Sequence, residues 1–148
     1  DRYAKAYDSV ILIANSIGAY FTMLSLAEKN ISQALFISPI VDMEKLIMDM
    51  MKWLNITEDE LKSKKEVETE FGETLSWEYL SHVKNHPIRW NVPTSILYGE
   101  KDNLTSKETI SKFAEQISAD LTIMGNGEHW FHTDEQLNFL DTWVKKST

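Results

Sequence analysis

The sequence contains no cysteine, which excludes a disulfide framework, a thiolate nucleophile and any metal site built on thiolates. No uninterrupted apolar run approaches the roughly 20 residues that a membrane-spanning helix needs, so a soluble chain with no membrane span is expected. Positive charge is scarce, with 15 Lys and Arg against 23 Asp and Glu and a formal net charge of −8. That balance argues against nucleic acid as a partner, because phosphate binding needs a basic surface. The first residue is Asp1 rather than Met, and no charged-then-apolar leader precedes the first apolar run. No secretory signal is therefore visible, and a cytoplasmic location is expected. Neither an internal repeat nor a low-complexity segment interrupts the chain.

What is present is an ordinary globular composition, 43% hydrophobic and 26% charged over 148 residues. That length fits one domain with a real core. Residues 10–14, VILIA, are apolar without alternation, which predicts a parallel strand covered on both faces. The segment after Gly18 is apolar nearly all round and predicts a buried helix. Residues 34–37 form a second short strand, ended by Ser38 and Pro39 because proline lacks a ladder donor.

Met43, Leu46, Ile47, Met50, Met51 and Leu54 then follow helical spacing. Thr57 with Glu60 reads as a capping box opening a charged segment through Val67. Trp77, Tyr79, Leu80 and Val83 mark a shorter helical piece that His86 and Pro87 end. Residues 94–98 make a third strand stopped by Gly99. Thr105 with Glu108 reads as another capping box, ahead of an amphipathic helix marked by Ile110, Phe113, Ala114 and Ile117. Residues 121–124 are a fourth strand. Thr133 with Gln136 caps a last helix whose Leu137, Leu140, Trp143 and Val144 face inward, and Lys145 and Lys146 suit its negative end. Strand and helix alternate throughout, which predicts an α/β fold, a parallel β-sheet with flanking helices. Residues 43–90 lie between the second and third strands and read as a helical cap inserted within a single domain, 1–148.

Residues 9–19, SVILIANSIGA, hold Ser16 between a short apolar strand and a helix, with Ala14 two positions before it and Gly18 two after. A serine on a sharp strand-to-helix turn has its hydroxyl pushed out above the sheet, and the close approach of strand and helix asks for small neighbours. Such a serine needs a base to take its proton and an acid to hold that base. In open parallel sheets these groups stand in loops beyond the carboxyl ends of strands.

This elbow resembles that of the α/β-hydrolase superfamily, in the variant whose first motif glycine is alanine. The resemblance spans nearly the whole chain from Ser9 onward and implies the order Ser, Asp, His. The third strand ends in Gly99 with Asp102 three residues on, similar to the family's acid loop, which makes Asp102 the candidate acid. Asp42 ranks second, since some members carry the acid after the preceding strand, and Glu100 is weaker. The loop Gly125-Asn126-Gly127-Glu128-His129 is similar to the family's histidine loop and makes His129 the candidate base. His132 competes with it but sits at the start of the last helix, while His82 and His86 read as structural or surface residues.

The backbone N–H of Ile17 is the expected oxyanion donor. The second donor normally follows an upstream strand, and only nine residues precede Val10. The expectation is therefore the C-terminal half of the fold, N-terminal strands absent, weak or inactive alone, since one lost donor costs about 10²–10³ in rate. The other expectation is a partner copy, a homo-oligomer that completes the sheet. The resemblance implies a serine hydrolase cleaving an ester or related acyl bond of a small-molecule substrate, with no metal and no organic cofactor. A non-catalytic small-molecule-binding protein and an acyltransferase remain open on the same residues. Met43, Met48, Met50, Met51 and Trp53 read first as cap packing and second as an adaptable pocket wall. Trp130 reads either as pocket lining or as an anchor for the last helix.

Overall fold

Four short apolar runs pair into one parallel sheet in the computed structural model, which describes residues 2, 6–70 and 72–148. In chain order they are β1 (Ile11–Asn15), β2 (Gln33–Ile37), β5 (Thr94–Gly99) and β6 (Asp120–Met124), and they lie side by side in that order. The register sets Ile13 beside Leu35, Leu35 beside Ser95 and Ile96 beside Leu121. β2 and β5 are central, so their apolar runs are buried on both faces, as parallel strands require. Leu35, Phe36, Ile96 and Leu97 are wholly buried, and each such side chain contributes about 1.5–3 kcal/mol.

Three helices complete this unit: α1 (Ile17–Leu26), α5 (Lys107–Ile117) and α6 (Asp134–Ser147). One face of the sheet carries a cluster of Ala19, Met23, Phe36, Trp90, Ile96, Tyr98, Ile110 and Phe113, so α1 and α5 lie on the same side. The other face gathers Leu35, Ile37, Leu97, Met124, Phe131 and Trp143 under α6. Gln33 donates through Nε2 to Ser147 O at 2.7 Å, tying the end of α6 to the start of β2.

The structure corrects several expectations. β1 lies at the edge of the sheet, and Ile11 and Ile13 are 42% and 54% exposed. α1 is half-buried, with Ile17 and Phe21 outward beside that edge. Leu137 faces out and Gln136 takes the buried place, because Glu128 Oε2 accepts from its Nε2 and its Oε1 accepts from His132 N. α5 is capped one residue later than expected, by Ser106 on Thr109 N at 3.2 Å. Thr105 is buried and its carbonyl is taken by the Tyr98 hydroxyl at 2.8 Å. Ile88, Trp90 and Val92 belong to the sheet's own core.

The chain leaves this unit after Val41 and returns at Ile88; Asp42–Pro87 forms a second compact unit. It holds α2 (Met43–Trp53), α3 (Glu58–Lys64), β3 (Glu66–Glu68), β4 (Thr74–Ser76) and α4 (Trp77–Asn85). The apolar stripe of α2 buries Met43, Leu46, Ile47 and Met51. Thr57 and Glu60 form the reciprocal capping box that opens α3. The charged helix does not run to Val67: Lys65 adopts a φ of +67° and stops it. Beyond Lys65 the chain turns into an antiparallel hairpin with Val67 opposite Leu75. Among the described residues no helix is long and apolar enough to cross a membrane.

Candidate active site

Ser16 joins β1 to α1 at φ +50° and ψ −126°, a conformation that residues with a Cβ rarely occupy. The strain is held by the segment leaving β2. Ser16 N–H donates to Ile37 O at 2.9 Å, and Ile40 N–H donates to Ser16 O at 3.1 Å. The main chain of the serine is thus gripped from both sides. Its side chain makes no capping bond to α1 and is left for other partners. Gly18 departs from expectation, since among the described residues nothing lies within 4 Å of a Cβ placed on it. Ala14, by contrast, packs against the core.

The three residues singled out from the sequence meet at the carboxyl ends of β1, β5 and β6. Ser16 Oγ lies 2.8 Å from His129 Nε2, and His129 Nδ1 lies 2.7 Å from Asp102 Oδ2. A carboxylate can only accept, so Nδ1 carries the proton and donates to Asp102. Nε2 is left as the acceptor for the Ser16 hydroxyl. The Asp102 side chain is fully buried and that of His129 is 15% exposed.

The sequence holds Asp102 by a local device. Its Oδ1 accepts from Leu104 N–H at 2.8 Å and Thr105 N–H at 3.0 Å, an Asx turn of the kind Asp favours. Thr105 is anchored in turn by the Tyr98 hydroxyl. Burial raises the pKa of Tyr98, and the neighbouring Asp102 charge raises it further, which keeps the phenol a donor. Glu100, on the same loop, accepts from Asn126 N–H at 3.1 Å instead of approaching His129.

The competing residues are engaged elsewhere. Asp42 caps α2, accepting from Lys45 N–H at 2.8 Å. His132 Nδ1 donates to Trp130 O at 2.7 Å and lies 3.5 Å from Glu128. His82 and His86 stack on one another at 3.9 Å in the second unit. Trp130 is 75% exposed, its ring tilted on His132, so it does not anchor the last helix in the core. Ile17 N–H opens α1, a position with no acceptor inside the helix. Among the described residues no group of three or more His, Asp or Glu side chains is placed to hold a metal ion.

The grip of Ile37 and Ile40 on Ser16 was missing from the sequence reading. Backbone partners leave no residue-type signal. The Asx turn at Asp102 was readable from residue type alone.

No protein-family model matches the chain, and no curated protein matches it significantly in sequence. Solved structures do match it. Est1E from Butyrivibrio proteoclasticus superposes with a TM-score of 0.75 at 20% identity, over 98% of this chain and 63% of its own. Alpha/beta hydrolase domain-containing protein 10 from mouse gives 0.68 at 15%, over 96% and 64%. The esterase Pf2001 from Pyrococcus furiosus gives 0.59 at 20%, over 99% and 54%. The chain spans less than two thirds of the length of each of these structures. The strand order, the strained serine turn and these superpositions agree: the chain has the α/β-hydrolase fold.

Proposed function

We propose that the chain carries the catalytic centre of a serine hydrolase acting on an ester or related acyl bond. Ser16 is the nucleophile, His129 the general base and acid, Asp102 the carboxylate that orients His129, and Ile17 N–H an oxyanion donor. The observation that carries this reading is the unbroken relay from Ser16 Oγ through His129 to Asp102, at 2.8 and 2.7 Å. Structural neighbours that are themselves named esterase support it.

In the proposed reaction Ser16 Oγ attacks the acyl carbon while its proton passes to His129 Nε2. The resulting imidazolium is steadied by Asp102 across the Nδ1 bond. Negative charge collects on the acyl oxygen beside Ile17 N–H, at the positive end of α1. Collapse breaks the bond to the leaving alkoxide, which takes the proton from His129. Water, deprotonated by His129, then attacks the acyl-serine. The carboxylic acid leaves and the proton returns to Ser16.

The test is labelling by a fluorophosphonate, which reacts with serines activated in this way. The parent chain is expected to label and Ser16→Ala to remain unlabelled. Equal labelling of the two, at any level, would overturn the proposal.

A further inference from the structure

Asp102 and His129 belong to different loops, yet their side chains meet at 2.7 Å. Main-chain contact sets that separation. Gly99 O accepts from Asp102 N–H at 3.0 Å, so Gly99 opens the turn that carries the acid. Its α-carbon lies directly on the histidine loop. A Cβ at Gly99 would come within 2.5 Å of Glu128 O and 2.6 Å of Gly127 C and O. Glu128 O belongs to the peptide bond that leads into His129.

The same contact is stitched on its flanks. Glu100 N–H donates to Met124 O at 3.0 Å and Lys101 N–H to Gly127 O at 2.7 Å. Asn126 N–H donates to Glu100 Oε2 at 3.1 Å. Gly127 is tight from its own side, where a Cβ would lie 3.1 Å from Gly99 Cα and 3.2 Å from Met124 O. Gly72 is the positive-φ glycine among the described residues, so neither Gly99 nor Gly127 is needed for its backbone angles. What both supply is the absence of a side chain.

We propose that Gly99 and Gly127 form a side-chain-free seam that sets the spacing of Asp102 and His129, making both positioning residues for the reaction. This rests on the serine-hydrolase reading above. Ordinary contact begins at 3.4 Å, so a methyl group on Gly99 drives the peptide before His129 back by 0.9 Å from its 2.5 Å approach. A misplacement near 1 Å is worth about a hundredfold in rate. On Gly127 the same arithmetic asks for 0.3 Å, from 3.1 to 3.4 Å, and a loss of only about three- to tenfold follows.

The experiment measures fluorophosphonate labelling of the whole chain, separating the limiting inactivation rate from probe affinity. Proton NMR of the strongly downfield resonance expected of the His129 Nδ1–H in its short bond to Asp102 accompanies it. Gly99→Ala is expected to keep its far-UV circular dichroism and its probe affinity while the inactivation rate falls about a hundredfold and the downfield resonance is lost. A folded Gly99→Ala with the parent's rate and resonance overturns the seam. Should Gly99→Ala fail to fold, Gly127→Ala decides. A lowered rate at unchanged affinity and dichroism supports the seam, and the parent's rate and resonance refute it. Ser16→Ala labelling like the parent overturns the serine reading instead. The resonance needs no reactive serine, so it still judges the seam.

Discussion

Replacing Asp102 with asparagine separates chemistry from stability at one position. Oδ1 accepts from Leu104 and Thr105 N–H, and Oδ2 accepts from His129 Nδ1–H. An asparagine that keeps both amide bonds must turn its NH₂ toward His129. Nδ1 then has to accept, the ring proton moves to Nε2, and the acceptor for the Ser16 hydroxyl is gone. A reversed tautomer of this kind lowers turnover about 10⁴-fold in a serine-protease triad, roughly 5 kcal/mol of transition-state stabilisation at 1.36 kcal/mol per tenfold. Folding loses far less, about 1 kcal/mol, because no buried amide is orphaned. Asp102→Ala, by contrast, strands two N–H groups at about 1–3 kcal/mol each. Fluorophosphonate labelling rates beside urea unfolding curves read the two quantities. Labelling of Asp102→Asn within about threefold of the parent, under 1 kcal/mol, would refute the role given to Asp102.

Three further outcomes follow from the geometry. Tyr98→Phe removes the donor on Thr105 O, set at 2.8 Å, and should lower stability by about 1–2 kcal/mol in urea unfolding. Labelling should survive, because Leu104 and Thr105 still hold Asp102. Burial raises the pKa of Tyr98 and Tyr79 above 10.0, with the Asp102 charge adding to the shift of Tyr98; their stabilisation is thus complete below pH 10 and lost as pH rises through the folded values. Unfolding curves at neutral and strongly alkaline pH should show a smaller alkaline loss in Tyr98→Phe, and an equal loss would exclude Tyr98 from the effect. Asp42→Ala removes the cap on Lys45 N–H, for about 1 kcal/mol of stability at an unchanged labelling rate. A rate loss matching that of Asp102→Asn would transfer the acid role to Asp42.

The three residues of the hydrogen-bonded relay were legible in the sequence because each stands in a loop that follows a strand. Ser16, Asp102 and His129 stand in loops punctuated by small residues, and the parallel order of β1, β5 and β6 brings those loops together. Exposure was less legible. VILIA reads as a strand suited to burial on two faces, but only a neighbour can bury it, and pattern cannot report whether one exists. The cap of α5 shifted for a non-local reason. Thr105 and Ser106 are both able caps, and the Tyr98 hydroxyl decides between them by taking Thr105 into the core. The β3–β4 hairpin was hidden because Glu66 and Glu68 are weak strand formers. Its signal reduces to Val67 opposite Leu75 and the Gly72 turn.

The backbone of Ser16 has a consequence for how this chain would drift. At φ +50°, glycine would relieve a strain of order 1–3 kcal/mol that serine carries. Stability alone therefore favours losing the hydroxyl at the one position where acyl chemistry would require it. Selection for robustness pushes toward glycine here, and only a demand for the reaction would oppose it. A lineage freed from that demand would have a short mutational path, Ser to Gly, to a steadier and inert descendant.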